Sequence, residues 1–351
     1  MPTHRRTALI ALALTAVAGG IVLAGPLNPS AGPITPTFKT LSEVEPRTAI
    51  SSLPFVINTA GSYYLTGNLS GAIGQDGITV NADDVTIDLN GFTISGAAGQ
   101  GTAVRSLQHR NITVKNGSMK SWGGGGVNLL LCDQSRIESL RMRGCLNSAV
   151  FIGSGSIARD CVVLDSGTFT LGPTAMIERC SMSNVDGGLS GGNGSVIKDC
   201  AVSGCTTGLA SIAGGEGSTI TGCSVSGGDT QGINAGLGST VSNCTVRGCP
   251  LSGFLLQGMC TVTNNTATAV GPGSQAAAFE INGSGNRIDG NLAVGSGYGF
   301  HANGTDNLIV RNAARNNTAG NYFFPNNEGA AVVASPGVNF TSTNAWANFS
   351  Y

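Results

Sequence analysis

Short runs of alternating apolar and polar residues, separated by Gly, Asn and Ser, recur along most of the chain. The segment Val196–Val202 aligns with Thr219–Val225 and with Thr240–Val246. Alternation over a few residues, bounded by turn-forming residues, predicts short β-strands. The abundance of Gly, Ser and Thr in the same segments is unfavourable for helices. The pattern therefore predicts a repeat built from short strands and turns.

The same repeat extends in both directions from these segments. One position in it recurs at intervals of 19 to 26 residues, which fits a coil of three short strands and three turns. We expect equivalent strands of successive coils to pair in parallel about 4.8 Å apart, so that one residue type stacks on itself. The eleven equivalent positions are Gly91, Gly117, Leu140, Cys161, Cys180, Cys200, Cys223, Cys244, Asn265, Asn291 and Asn312.

Further columns of this alignment predict the core. Apolar residues occur three positions before the recurring position and two positions after it, and a third strand supplies larger side chains to the interior. The first column contains Ile137, Ile177, Ile197, Ile220, Val241 and Ile288; the second contains Val163, Met182, Val202, Val225 and Val246; the third begins near Leu189, Leu209, Ile233, Phe254, Phe279 and Phe300.

Five of the ten cysteines occupy the recurring position, from Cys161 to Cys244. Stacked and facing inward, they are expected to act as small apolar side chains. Neighbours in this column are close enough for a bridge, but their Cβ vectors point the same way, so the sequence leaves the redox state of the column open. Cys205 and Cys249 lie two coils apart, too far for a disulfide. No Cys-x-x-Cys pair or histidine accompanies the column, so no metal site is expected.

The N-terminus predicts export. Arg5 and Arg6 precede an apolar run over residues 8–24, which is typical of a signal peptide cleaved before Gly25. The alternative is a retained membrane anchor, for which 17 residues are marginal. No other apolar stretch is long enough to span a bilayer.

The rest of the chain divides by composition. Residues 25–38 contain four prolines and form a predicted linker. Residues 39–75 are predicted to cap the N-terminal end of the repeat, since an open coil exposes unpaired strand edges. Residues 76–320 carry the repeat. Residues 321–351 concentrate aromatic residues and are predicted to form a C-terminal cap.

The stacked asparagines and the Gly-rich period of roughly 21 residues resemble the right-handed parallel β-helix superfamily. This group includes pectate lyases, polygalacturonases and the carbohydrate-binding and sugar-hydrolase repeat modules. The segments Asn286–Asn291 and Asn307–Asn312 carry the resemblance most clearly, and Val85–Phe92 looks like an opening coil. The flanks are similar to those of bacterial secreted β-helix proteins. The resemblance implies an all-β fold, a right-handed parallel β-helix (solenoid) of about eleven coils with a cap at each end.

The number and spacing of charged residues limit the classes of partner and of reaction that we expect. Only 11% of residues are charged and the net charge is -1. The chain therefore lacks the positive potential with which proteins attract nucleic acid or an anionic membrane. Glu138 and Glu178 would lie two coils apart, near the spacing of an inverting glycosidase pair. Arg159 lies between them in the alignment, so we interpret them as part of an alternating charge ladder.

One polar strip remains as a candidate site. His301 follows inward Phe300, as Glu280 follows inward Phe279 one coil earlier, so both should face outward as stacked neighbours. A carboxylate beside an imidazole could support acid–base chemistry, which makes Glu280 and His301 the catalytic candidates. Amides that could bind sugar hydroxyls are expected on the same side, at Asn234, Gln257, Asn282 and Asn303.

Three functions remain compatible with these features. The first is a secreted or cell-surface protein, with the periplasm as an alternative compartment, that recognises glycans or serves as a scaffold without catalysis. The second is a polysaccharide lyase or glycoside hydrolase that uses Glu280 and His301. The third is a purely structural envelope protein or adhesin. We expect a monomer whose partner is an extracellular polysaccharide, with no cofactor and no metal.

Overall fold

All the regular structure within the described residues consists of β-strands. The computed structural model describes residues 46–97, 99–229, 231–271, 276–334 and 342–351. The predicted signal peptide and linker, with the first residues of the predicted N-terminal cap, lie outside these ranges. The chain divides into two units, Met1–Pro46 and Arg47–Tyr351, and the strands belong to the second. No helix in the described part is long and apolar enough to cross a membrane.

The strands form three rows in which each strand pairs in parallel with its counterpart one coil away. Rows 1 and 2 share two long strands, Ile112–Lys120 and Arg136–Arg143, and therefore belong to one sheet. Row 1 also contains Thr48–Ile50, Gly61–Leu65, Val85–Asp88, Ile157–Arg159, Met176–Glu178, Val196–Lys198, Thr219–Thr221, Thr240–Ser242, Thr261–Thr263, Arg287–Asp289, Leu308–Val310 and Glu328–Gly329. Row 2 also contains Leu69–Ser70, Thr93–Ser95, Val162–Ser166, Ser181–Val185, Ala201–Ser203, Ser224–Ser226, Thr245–Arg247, Thr266–Thr268, Leu292–Val294, Ala313–Arg315, Val332–Ala334 and Asn348–Ser350.

Row 3 is a separate sheet with one strand in each coil. Its inward side chains are large and apolar, and they include the stacked rings of Phe254, Phe279 and Phe300, whose centroids are 4.7 and 4.8 Å apart. Its strands are Phe55–Ile57, Ile78–Val80, Thr102–Ser106, Gly125–Leu129, Ser148–Ile152, Thr168–Leu171, Leu189–Gly191, Ala210–Gly214, Gln231–Ala235, Phe254–Leu256, Ala277–Ile281, Tyr298–Ala302 and Gly320–Phe323.

The predicted right-handed parallel β-helix is confirmed, with about thirteen coils in the described residues instead of eleven. The two additional coils lie at the ends. Strand Phe55–Ile57 falls within the predicted N-terminal cap, yet it pairs with Ile78–Val80 like any other strand of row 3. Strand Asn348–Ser350, within the predicted C-terminal cap, pairs with Ala313–Arg315. Parallel pairing thus continues into both segments that the sequence assigned to caps.

The column of five cysteines stacks as the alignment predicted. The backbone N–H of Ser181 donates to the carbonyl of Cys161, and that of Ala201 donates to Cys180, both at 2.9 Å. All ten cysteines are buried free thiols in this structure. The Cys161 thiol donates to the Arg159 carbonyl at 3.2 Å. The column therefore serves as an apolar inner corner whose weak donors are satisfied locally.

Asparagine ladders replace the thiols in the C-terminal coils. Each side-chain amide donates to the next amide oxygen, from Asn265 to Asn291 at 3.0 Å and from Asn291 to Asn312 at 3.1 Å. Asn312 in turn donates to Asn348 at 3.2 Å. These amides are buried, and each oxygen also accepts a backbone N–H. The ladder thus satisfies buried polar groups that would otherwise be strongly destabilising.

One predicted core position is wrong. Leu209 is 77% exposed, and Ile212 occupies the inward place between Leu189 and Ile233. The turn before strand Ala210–Gly214 is longer than in neighbouring coils, so an alignment without gaps assigned the wrong apolar residue to the interior.

The charge ladder is present as expected. Glu138 pairs in register with Lys115 on one side and with Arg159 on the other, and the Arg159 guanidinium lies 3.1 Å from its carboxylate. Glu178 likewise has a cationic partner, the Arg179 guanidinium at 2.9 Å. The carboxylates that had glycosidase-like spacing are therefore occupied by neighbouring cations.

We expect Asn291→Ala to destabilise the fold by about 3 kcal/mol, because it leaves the buried backbone N–H of Asn265 without its acceptor, removes the donor to the Val262 carbonyl and opens a cavity. The urea midpoint, followed by far-UV circular dichroism, measures this change. Asn303→Ala removes an exposed amide pair from a nearby coil and should shift stability by no more than about 0.5 kcal/mol. Equal effects of the two substitutions would contradict a structural ladder.

The buried thiols should resist labelling in the native state. Burial raises the pKa of Cys145 and of Cys249 to about 11, so neither supplies a reactive thiolate near neutral pH. We expect a thiol reagent at about pH 8 to label the protein only after unfolding in urea. Fewer than ten reactive thiols in the unfolded chain would reveal bridges.

The same shifts predict alkaline destabilisation. The unfolded thiols ionise near 9.0 and the folded ones about two pH units higher. The stabilisation is therefore complete below pH 9.0 and is lost as the pH rises through about 11. Urea midpoints measured across this window should fall.

Candidate functional site

The outward side of row 3 is a continuous column that crosses all thirteen coils. Each residue in it is the register partner of the next, so a ligand lying along this face would meet one side chain from every coil. In chain order the column contains Val56, Thr79, Arg105, Asn128, Phe151, Thr170, Ser190, Ala213, Asn234, Leu255, Glu280, His301 and Phe323.

The structure places Glu280 and His301 opposite each other in adjacent strands, both half-buried on this face. Their side chains have different partners. The hydroxyl of buried Ser252 donates to the Glu280 carboxylate. No hydrogen bond or ion pair joins Glu280 to His301 anywhere in the described part. The strand register therefore places a carboxylate beside an imidazole, but no hydrogen bond connects them as an acid–base pair.

The four predicted amides form two separate pairs. Gln257 donates to Asn234 at 3.3 Å, and Asn303 donates to Asn282 at 2.9 Å. Leu255 lies between Asn234 and Glu280 in the column, so the expected continuous polar row is interrupted by an apolar side chain. The Asn282–Asn303 pair is exposed beside the Glu280 and His301 strands, where its free donors and acceptors face solvent.

Two aromatic residues that the sequence analysis did not assign to the site complete it. The Tyr298 ring stacks on the His301 imidazole with centroids 4.7 Å apart and planes 12° apart. Phe323 follows His301 in the column, 5.1 Å from it and 6.1 Å from Tyr298, and is 46% exposed. We call Tyr298, His301 and Phe323 the aromatic patch. It presents a ring surface to solvent, next to a carboxylate and an amide pair.

The interior holds this patch in place. Directly beneath it, the Phe300 ring stacks on Tyr322 at 5.2 Å. The Tyr322 hydroxyl donates to the carbonyl oxygens of Asn312 and Phe349, at 2.8 and 3.0 Å, and burial raises its pKa above the usual range. The strands that carry Tyr298, His301 and Phe323 are therefore fixed from behind by packed rings and by a phenol that stays protonated.

Metal chemistry finds no support at this site. Within the described ranges, no group of three or more His, Cys, Asp or Glu side chains is arranged to hold a metal ion. What the patch offers is ring surface and hydrogen bonding.

Comparison with known proteins identifies a matching family model and similar folds. The family described as "Right handed beta helix region" matches residues 165–319. No curated protein matches the chain. Among solved structures, the A-module of the mannuronan C-5 epimerase AlgE6 of Azotobacter vinelandii is similar, with a TM-score of 0.56 and 12% identity over 83% of this chain and 89% of that one.

A second similar structure is a mutant tailspike protein of E. coli bacteriophage HK620 in complex with a hexasaccharide. Its TM-score is 0.52 and its identity 13%, over 83% of this chain and 65% of that chain. At these identities the similarity concerns the fold alone, since one fold hosts many unrelated functions.

Proposed function

We propose that this right-handed parallel β-helix is an exported protein that binds glycan chains on the outward face of row 3 without chemical conversion. The observation that carries this proposal is the aromatic patch. Sugar rings have apolar C–H faces that pack on aromatic rings, and their hydroxyl groups pair with amides and carboxylates. Tyr298 and Phe323 provide the first kind of contact, and the Asn282–Asn303 pair provides the second.

The shape of the face favours a polymer over a small ligand. The column continues along the row with one outward residue for each coil, so successive sugar units would meet successive strands about 4.8 Å apart. Two structural neighbours are consistent with a glycan role, since one is a mannuronan epimerase and the other was solved with a hexasaccharide. The choice of residues rests on this chain alone.

Absence of catalysis is supported by how the carboxylates are used. Glu280 accepts a hydrogen bond from Ser252 and has no hydrogen bond or ion pair with His301 in the described residues. Glu138, Asp160 and Asp289 are bound by arginine side chains. A lyase or glycoside hydrolase needs an acid or base poised to exchange a proton with the substrate. The register pairing of Glu280 and His301 is the observation that keeps an enzyme as the second candidate.

Binding is tested with a panel of neutral and acidic polysaccharides, using the chain that begins at Gly25 and affinity electrophoresis followed by calorimetry. Phe323→Ala and Tyr298→Ala should each weaken binding about tenfold, which corresponds to about 1.4 kcal/mol, because each removes stacking surface. Tyr64→Ala is the matched control, because this half-buried aromatic residue lies on strand Gly61–Leu65 of row 1, outside the column, and it should leave affinity unchanged. Equal losses in all three variants, or no binding by the parent chain, would reject the patch and favour a structural protein.

Catalysis is tested on the same polymers, with and without calcium, by following new reducing ends and the absorbance of unsaturated uronates. We expect no product. Product formation that Glu280→Ala abolishes, while the variant keeps the parent's urea midpoint, would overturn the non-catalytic assignment and establish the enzyme alternative.

A further inference from the structure

A second surface, on row 1, carries features of a binding site. A groove of about 440 Å³ opens beside the strands Arg287–Asp289 and Leu308–Val310. Its apolar floor comes from Leu308, Val310 and Ala330. The wall is the ring of Trp346, which is 52% exposed. None of these residues belongs to the aromatic patch.

The Trp346 ring is held by its surroundings. The backbone N–H of Trp346 donates to the Asn344 side chain at 2.9 Å, and the Trp346 carbonyl accepts the backbone N–H of Arg311 at 3.1 Å. The Arg311 guanidinium lies over the ring, 5.0 Å from its centroid, which is a cation–π contact. The ring therefore stays fixed while it lines the groove.

The groove also contains unused cationic donors. Arg287 lines it with a side chain that is 43% exposed, and one of its nitrogens donates to the buried Asp289 carboxylate at 2.7 Å. A guanidinium has five N–H groups, and the Arg287 side chain has no other hydrogen bond or ion pair in the described part. Asp289 is bound by Arg311 as well, at 2.6 Å. These hydrogen bonds, that of Arg311 being the larger cause, lower the pKa of Asp289, so this one carboxylate lies between two guanidinium groups.

From this geometry we infer that the groove binds an acidic sugar residue, with its apolar ring face on Trp346 and its carboxylate on Arg287. A neutral sugar would use the aromatic wall but leave the free guanidinium donors unpaired. A carboxylate matches the planar fork of Arg287 with two parallel hydrogen bonds. Asn344 adds an amide for hydroxyl groups. The ligand class is therefore a uronic-acid polysaccharide or oligosaccharide.

The chain contains its own reporter for this interaction. It has two tryptophans, and Trp122 is fully buried with its indole N–H donating to the Ile94 carbonyl. Ligand binding in the groove should therefore change the fluorescence of Trp346 and leave that of Trp122 as an internal measure of folding. The probe is a purified oligouronate, titrated into the chain that begins at Gly25. The comparison probe is the same oligomer after reduction of its carboxylates to neutral alcohols.

We expect a saturable change in Trp346 fluorescence on titration with the oligouronate. The reduced oligomer should bind at least about tenfold more weakly, since a charge-assisted hydrogen bond contributes about 1.5–3 kcal/mol. Arg287→Gln should weaken the oligouronate to the level of the reduced oligomer. Arg287→Lys keeps the charge next to Asp289 but loses the fork, and should give an intermediate affinity. Trp346→Phe should abolish the signal and leave calorimetric binding measurable.

The matched control is Arg315→Gln, which removes the same charge from the neighbouring row, where Arg315 lies over the Tyr351 ring. It should bind like the parent chain. The inference is overturned if the reduced oligomer binds as well as the oligouronate, or if Arg287→Gln and Arg315→Gln weaken binding equally. An unchanged fluorescence at saturating oligouronate would overturn it too.

Discussion

Backbone hydrogen bonds between equivalent strands of successive coils determine which side chains become neighbours. In a parallel register each residue stacks on its counterpart one coil away, at about 4.8 Å. A position therefore favours side chains that are compatible with their neighbours at that distance. Branched aliphatic residues, thiols, amides and aromatic rings satisfy this in different ways. The stacked rings of Phe254, Phe279 and Phe300, 4.7 and 4.8 Å apart, repeat at the coil spacing.

On the outside the same constraint acts on charge. Like charges at the coil spacing repel, so Glu138 lies between Lys115 and Arg159. Exposed pairs of this kind each contribute at most about 1 kcal/mol to stability. Their main effect is that the carboxylates of the regular coils already have cationic partners. Groups free to bind a ligand remain where the alternation stops. The aromatic patch and the Trp346 groove both lie in the C-terminal coils, beyond the last ladder of alternating charge.

The fold could be predicted because its information is periodic. Ile197, Ile220 and Val241 identify a column by spacing alone, and the register places them together. Where the period breaks, spacing gives no guide. Asn348 continues the ladder of Asn312, but 36 residues separate them, so the last coil was interpreted as a cap. The prediction for Leu209 was wrong for a related reason, because a longer turn moves the inward position to Ile212.

For the same reason, the candidate site could be predicted from the sequence only in part. Glu280 and His301 follow inward phenylalanines, so alternation predicted their outward direction and their pairing. Tyr298 and Phe323 were missed because their contact with His301 depends on ring orientation and on a strand that the aromatic-rich C-terminal segment concealed. The hydrogen bond from Ser252 to Glu280 crosses 28 residues between side chains of different strands and turns, which alternation along one strand cannot reveal.

The C-terminal coils combine these surfaces with the most polar interior of the described chain, and the combination has a physical rationale. Amide ladders occupy two of the inner corners there, through Asn291 and Asn312 and through Asn286 and Asn307, and Ser296 pairs with Asn317 at the third. Directional hydrogen bonds fix the relative height and rotation of neighbouring coils more strictly than packed thiols, which tolerate small shifts. A flat binding face gains affinity when its rings are already in place, because less side-chain freedom is lost on binding. The change from thiols to amides along the stack therefore increases rigidity in the coils that carry the exposed rings.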